Sequence, residues 1–353
     1  MADAFEFYSR PDYFDDLLKR IAKTTAGERV AVASMKFRPS ALQVDKLMRE
    51  LIAAAKRGVI VDLAIDAYSF LIGETIRPGP LMIYGRLPQR LPATFQKQME
   101  ALEKLSASGG RYSLINLPSR RLTVPFAGRC HLKYAVVNKH IYLGSCNLGL
   151  SNKLDMMVGW DNQKAADWLY DLGQNINRQG NTRMIAKGSD IVHEVDETNK
   201  LMFDCGEPRQ SVIFKEAINI IDKAKETIYL ACQYFPNSTT LKHLVAAHNR
   251  GVKVIIVFNH PAKHKLPFSM LHHLVLLHAK TQSPQSMRSN RLHKELPFLH
   301  AKLLATEHAT IIGSHNFVQA GVNFGTAEIA LLNHNPAFAK QAINNLESQF
   351  KSY

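Results

Sequence analysis

The residues best suited to chemistry occur twice. The stretch "HLKYAVVNKHIYLGSCN" runs from His131 to Asn147, and "HAKLLATEHATIIGSHN" runs from His300 to Asn316. In each, Lys follows His by two positions, Gly-Ser arrives at plus 13 and plus 14, and Asn at plus 16. The copies are offset by 169 residues throughout (131 to 300, 133 to 302, 147 to 316). Five positions kept at one spacing in two places point to an internal repeat.

Residues two apart on an extended strand share a face, so His131 and Lys133 point the same way, as do His300 and Lys302. The apolar run after each Lys is expected to fold back as a hairpin, whose Gly-Ser end can carry Asn147 or Asn316 to the His-Lys pair. Each copy then offers an imidazole that can attack or donate a proton, a cation and an amide. That set suits a phosphodiester, whose oxygens need positive charge and hydrogen bonds in the transition state. If the copies face each other, one imidazole can attack phosphorus while the other protonates the leaving alcohol. The roles reverse when an acceptor arrives. Lys133, Lys302, Asn147 and Asn316 already cover the anion, so this chemistry requires no metal and no cofactor.

An imidazole in this role needs its far ring nitrogen held, normally by a carboxylate. The candidates are Asp155 in "NKLDMMVGW" and Glu328 in "GTAEIALLN", both in short apolar strands where an unpaired acid is costly to bury. Cys130 and Cys146 flank the first copy and are read as small packing residues.

The elements that must position these residues are repeated as well. "RVAVASMKF" (Arg29 to Phe37), then a helical run and "LIAAAKRGVIVDLAID" (Leu51 to Asp66), matches "IYLACQYF" (Ile228 to Phe235) followed by "LKHLVAAHNRGVKVIIVFN" (Leu241 to Asn259). Each reads as strand, helix, a basic residue with Gly, then a buried strand, which is a βαβ unit. An amphipathic helix precedes each unit, Tyr13 to Thr24 in one half and Val212 to Glu226 in the other. Asp161 to Met184 reads as a closing helix and polar linker, and Lys200 to Gly206 as the second half's first strand. The expected join lies near residue 195, dividing the chain into 1–195 and 196–353. The fold class is therefore α/β: two similar domains, each a mixed sheet flanked by helices, with one active site at their interface.

The bulk composition is compatible with this. At 353 residues, 46% of them hydrophobic, the chain can fill two cores. Forty-four Lys and Arg against 30 Asp and Glu leave a net charge of +14, which suits a phosphate-rich partner such as nucleic acid or an anionic membrane face. The acidic, Pro11-interrupted N-terminus does not read as a secretory signal, and no run of about 18 apolar residues suggests a transmembrane helix. Four scattered cysteines without a CxxC pair suit a reducing cytoplasm and argue against a structural zinc site.

The doubled H-x-K...G-S-x-N pattern resembles the phospholipase D superfamily. "VPFAGRCHLKYAVVN" (Val124 to Asn138) and "YFPNSTTLKHLVAAHNRGVKVIIV" (Tyr234 to Val257) are similar to bacterial cardiolipin synthases and related phosphatidyltransferases. The resemblance implies that His131 forms a phosphohistidine intermediate and that His300 serves as general acid and base. It implies that Lys133, Lys302, Asn147 and Asn316 bind the phosphate, with Ser145 and Ser314 in support. The sequence departs from the family at the position of its Asp, which is Asn138 in the first copy and Glu307 in the second.

Two further stretches bear on the substrate. Ser69 to Pro92 is apolar with scattered Arg, and His260 to Phe298 is rich in His and Lys around the apolar run Leu266 to Leu277. That run is either a core helix or a helix dipping into lipid. The second stretch reads as a basic substrate-entry lobe in preference to a metal cluster of His260, His264, His272 and His273. Two such lobes suit a lipid with acyl chains. The favoured expectation is phosphatidyl transfer by a cytoplasmic protein docked on the inner membrane face. A nuclease of the same superfamily and a non-catalytic binding module are the alternatives.

Overall fold

The computed structural model describes residues 4–66, 93–115, 130–149, 153–178, 190–263, 268–284, 287–292, 297–323 and 325–352. In chain order the first half runs β1 (Glu6–Tyr8), α1 (Arg10–Ala22), β2 (Arg29–Ser34), α2 (Leu42–Lys56), β3 (Ile60–Asp66), α3 (Ala93–Ala107), β4 (Arg111–Ile115), β5 (Lys133–Val137), β6 (His140–Gly144), β7 (Lys153–Leu154), β8 (Met157–Asp161) and α4 (Gln163–Arg178). The second half runs β9 (Ile191–Glu194), β10 (Asn199–Asp204), α5 (Val212–Lys223), β11 (Thr227–Ala231), α6 (Ser238–Asn249), β12 (Lys253–Asn259), α7 (Phe268–Gln282), β13 (Arg288–Leu292), β14 (Phe298–Leu299), β15 (Leu303–Thr306), β16 (Thr310–Gly313), α8 (Gln319–Asn323), β17 (Glu328–Asn333) and α9 (Pro336–Lys351).

The first sheet is ordered β1-β8-β6-β5-β2-β3-β4, and the second β9-β10-β17-β16-β15-β11-β12-β13. The two orders are equivalent apart from β9 at one edge of the second sheet. Parallel pairs β2–β3 and β11–β12 come from the two βαβ units, while the His-Lys hairpins β5–β6 and β15–β16 are antiparallel. Helices α2 and α6 end where the sequence predicts: Gly58 (φ 86°) and Gly251 (φ 92°) adopt the left-handed conformation that glycine takes just beyond a helix end. Ile191–Glu194 pairs with β10, so a short strand of the second sheet lies ahead of Lys200 to Gly206, the stretch expected to be its first. Asp196 accepts from the N–H groups of Thr198 and Asn199 at the tight turn between β9 and β10.

Three cores hold the molecule. One lies on the outer side of the first sheet and includes Phe14, Leu17, Leu47, Leu51, Leu63 and Leu102. Its counterpart in the second half includes Ile213, Ile220, Leu241, Leu244, Val254 and Ile256. The third draws on both halves, bringing Leu132, Trp160 and Leu169 into one apolar cluster with Phe203, Leu331 and Leu346. This shared core places the ends of β5 and β15 side by side.

Candidate active site

The two halves exchange partners at the site. Strands β7 and β14 pair in parallel, Lys153 with Phe298 and Leu154 with Leu299, and Cys130 bridges Ala327 in the equivalent manner. The chain just before each His thus lies against the chain just before the other half's acid. His131 N–H donates to Ala327 O and His300 N–H to Leu154 O, both at 2.8 Å. The side chains follow. His131 Nδ1 lies 2.9 and 2.8 Å from the two carboxylate oxygens of Glu328, and His300 Nδ1 lies 2.7 Å from Asp155 Oδ1. A carboxylate at Nδ1 favours the tautomer with a proton there, leaving Nε2 as the free base.

The lysines and the Gly-Ser pairs complete the frame. Lys133 Nζ donates to His131 O at 2.8 Å, and Lys302 Nζ to His300 O at 2.5 Å. A side chain at Gly144 would come within 2.2 Å of Met156 O, and one at Gly313 within 2.3 Å of Ile329 O. Only glycine lets these backbones approach so closely. The following serines then reach the acids, not the space between the histidines. Ser145 Oγ donates to Asp155 Oδ1 at 2.9 Å and accepts from Met156 N–H at 3.0 Å. Ser314 Oγ donates to Glu328 and accepts from Ile329 N–H at 2.9 Å. Each expected support serine thus holds the carboxylate of its own half.

Asn147 and Asn316 stand apart from this network. Both amide atoms of Asn147 and the Oδ1 of Asn316 are buried without a hydrogen-bond partner. A buried amide left unpaired costs about 1–3 kcal/mol. Asn316 lines a cavity of about 190 Å³ with Met35, His131, His315, Thr326 and Glu328. The cavity sets an unpaired amide oxygen beside a held imidazole.

Electrostatics bias the groups toward neutral imidazoles. Burial, reinforced by repulsion from Lys133 and Lys302, holds His131 well below the usual 6.5. Burial, with Lys302 and Lys153, does the same to His300. Lys302 is brought down to about 8, mainly by burial. The two acids differ. Despite its burial, Asp155 is held well below the carboxylate range by His300, Arg10 and Lys153, whereas burial pushes Glu328 up.

Several of these neighbours were missed in the sequence. Arg10, 2% exposed, ion-pairs with Asp155 at 3.2 Å and donates to Gly149 O at 2.5 Å. It lies 145 residues away from that acid along the chain, and no local pattern marks it. His315 is buried beside Glu328 and accepts from Phe317 N–H at 2.9 Å. Its position next to Asn316, where the first copy has Cys146, was the available signal.

The departures at Asn138 and Glu307 have a structural explanation. Asn138 sits in the left-handed region (φ 55°) at the far end of the β5–β6 hairpin, a conformation asparagine tolerates well. Its Oδ1 accepts from Arg29 N–H at 3.2 Å and its amide donates to Glu28 at 2.8 Å. Glu307 accepts from the N–H groups of Lys225 and Thr227 at 2.6 and 3.3 Å. Both residues thus satisfy the backbone at the start of the neighbouring strand, away from the histidines.

Helix α7 resolves part of the second lobe. Met270, Leu271, Leu274 and Leu277 are 57–62% exposed. Inward, His272 is buried and its Nε2 accepts from Phe235 N–H at 3.2 Å, while His273 is exposed and bonded to Ser269 O. His264, the rest of that run before Phe268, and Ser69 to Pro92 lie outside the described residues. Behind Leu271 and His272 an apolar cavity of about 220 Å³ is lined also by Tyr234, Phe235, Val275 and Val318. Val318 borders the His131 cavity too. Among the described residues no helix is long and apolar enough to cross a membrane.

A family model described as cardiolipin synthase, PLD-like domain, matches residues 17–172 and 217–350. The chain belongs to the phospholipase D superfamily. Within it the chain is cardiolipin synthase-like. Among solved structures of this superfamily's fold, phosphatidylserine synthase of Haemophilus influenzae Rd KW20 matches at TM-score 0.68 and 13% identity, covering 98% of this chain and 86% of that one. Polyphosphate kinase of Porphyromonas gingivalis matches at TM-score 0.60 and 15% identity, covering 98% of this chain and 50% of that one. The phospholipase D family member Nuc of Salmonella typhimurium matches at TM-score 0.34 and 20% identity, over 44% of this chain and 94% of its own. No curated protein matches the chain in sequence.

Proposed function

We propose that this phospholipase D superfamily member transfers a phosphatidyl group between alcohols through a phosphohistidine, at an anionic membrane surface. His131, which lines the open cavity, attacks phosphorus through Nε2. The P–N bond forms as the P–O bond to the leaving alcohol breaks, and that oxygen takes its proton from His300. An acceptor alcohol then returns a proton to His300 as its oxygen attacks phosphorus and releases His131. Lys133, Lys302, Asn147 and Asn316 hold the phosphoryl oxygens. Burial, with repulsion by Lys302 and Lys153, lowers the proton affinity of His300, and an arriving phosphodiester offsets the repulsion, which favours the protonated His300 that the step needs.

The observation that carries the lipid reading is the outer face of α7. Met270, Leu271, Leu274 and Leu277 share one side of the helix, exposed, and α7 contains no acidic residue. Exposed His273, His278 and Lys280 flank that stripe. A contiguous apolar patch with a basic rim fits an anionic bilayer, and burial of a Leu side chain contributes about 1.5–3 kcal/mol. The cavity behind Leu271 would receive the start of an acyl chain. The likeness to phosphatidylserine synthase agrees with a phospholipid substrate. The four cysteines are free, which agrees with work on the cytoplasmic side.

The test uses phosphatidylglycerol vesicles and, separately, single- and double-stranded DNA and RNA, all in EDTA, with His131→Ala and His300→Ala alongside. The expected result is headgroup exchange by the unaltered protein and none by either variant. Cleavage of nucleic acid with lipid headgroups untouched would show the lipid reading to be wrong.

A further inference from the structure

The pseudo-twofold relation fails around the cavity that holds His131. Ser34 Oγ donates to Lys36 O and Cys232 Sγ to Tyr234 O, each at 2.7 Å, so Ser34 matches Cys232 and Lys36 matches Tyr234. Sheet register agrees, because Ser34 pairs with Lys133 while Ala231, just before Cys232, pairs with Leu303, just after Lys302. Leu154 pairs with Leu299 where Ala327 bridges Cys130, which makes Lys153 the counterpart of Thr326. Around the rim of the site, Lys36 and Lys153 of the first half thus stand where the second half has Tyr234 and Thr326.

The same comparison sets His315 against Cys146, each between the Ser and the Asn of its turn. In the first half other side chains tie that turn down. Leu148 N–H donates to Ser34 Oγ, and Arg10 donates to Cys146 Sγ, both at 3.0 Å. In the second half Cys232 directs its thiol to Tyr234 O, and the N–H of Phe317, the counterpart of Leu148, goes to His315 Nδ1 at 2.9 Å. Phe317 is left-handed (φ 54°), which a bulky residue adopts only at a cost, and Thr240 Oγ1 holds its carbonyl at 2.8 Å. The strained turn thereby fixes the imidazole.

A neutral imidazole has one donor nitrogen and one acceptor. With Nδ1 accepting from the backbone, the proton stands on Nε2. A second proton, on Nδ1, would be set against the Phe317 N–H, and burial opposes the charge as well. His315 is therefore a donor that does not compete for the proton His300 must carry. Its ring is 3% exposed and lines the His131 cavity beside Asn316 and Glu328. Among the described residues Nε2 has no hydrogen-bond partner, and it is not one of the sealed unpaired atoms, so it opens on that cavity.

We propose that His315 is a further substrate-binding residue, whose Nε2–H donates to an oxygen of the phosphoryl group that His131 attacks. This deepens the reading of the paired His-Lys-Asn site as a phosphodiester centre and rests on it. The donor belongs to the second half alone, because Cys146 is already engaged by Arg10. A fixed donor aimed at an oxygen that gains charge in the transition state speeds the chemical step more than it tightens binding.

The first experiment labels the histidines of the full chain with nitrogen-15 and reads two-bond H–N correlations at neutral pH in EDTA, with signals assigned by single substitutions. His315 is expected as the neutral Nε2–H tautomer. Saturating inorganic phosphate should shift its Nε2 signal and leave that of exposed His273 in place. The Nδ1–H tautomer, or an unmoved His315 signal while His131 responds, overturns the proposal and leaves the phosphodiester reading intact. Phosphate that moves neither overturns both. The second experiment compares two variants on phosphatidylglycerol vesicles. His315→Asn keeps an acceptor for the Phe317 N–H and loses the far donor, whereas His315→Gln carries an amide nitrogen near the place of Nε2. His315→Asn should lower kcat by about 10²-fold with KM within about threefold, and His315→Gln should stay within about fivefold of the unaltered kcat. Full activity in His315→Asn, or equal loss in both variants, overturns the donor role.

Discussion

Asp155 and Glu328 do the same job at pseudo-equivalent places, yet their surroundings differ. Asp155 accepts from His300, Ser145 and the buried Arg10, and stays ionised. Glu328 accepts from His131 and Ser314, has no arginine beside it among the described residues, and is pushed toward its neutral form by burial. The rims differ in the same sense, Lys36 and Lys153 on one side against Tyr234 and Thr326 on the other. Duplication supplied two interchangeable imidazoles, and the unequal carboxylates and rims are what can make one a nucleophile and the other an acid. Tyr234 of the second half's rim also lines the apolar cavity under α7.

The sharpest way to break this comparison is to remove each imidazole. His131→Ala and His300→Ala should each reduce transfer by about 10³-fold or more. They should differ in what accumulates: with labelled lipid, gels run after an alkaline detergent quench, which spares the acid-labile P–N bond, should show a labelled protein in His300→Ala and none in His131→Ala. The reverse pattern would exchange the two roles.

Next come the acids. Asp155→Ala leaves Arg10 buried without its partner and should cost about 3–5 kcal/mol of stability. Glu328→Gln, with no arginine to strand, should cost about 1–2 kcal/mol. Urea unfolding of both variants measures the gap, and equal costs would remove the distinction drawn between the halves.

A smaller effect concerns pH. Attack needs His131 neutral, so activity should fall as pH drops through its depressed value, below 6.5. Lys302 must stay charged, so activity should fall again as pH rises through about 8. The kcat/KM profile should be bell-shaped, with about tenfold loss per pH unit on each limb. Lys302→Arg, whose guanidinium keeps its proton, should shift the alkaline limb upward.

The smallest effect is expected at Asn138. Replacing it with the family's Asp sets a second carboxylate against Glu28, now its hydrogen-bond partner. Asn138→Asp should destabilise by about 0.5–1 kcal/mol, read by thermal melts, with kcat within about twofold of the unaltered protein.

The duplicated pattern was legible because its requirements are local. A His two residues before a Lys on a strand, and a Gly where two backbones nearly touch, must appear as fixed residue types at fixed spacing. The βαβ units, glycine helix ends and the two candidate acids were legible for the same reason. What the sequence did not carry was the crossing. Which half's acid reaches which imidazole depends on β7 meeting β14 across the shared core, and residues more than a hundred positions apart leave no common period to read. Arg10, Lys153 and the short strand β9 were missed on the same grounds. Their meaning lies in a neighbour that only tertiary packing provides, because burial, hydrogen-bond partners and local charge are properties of the assembled site.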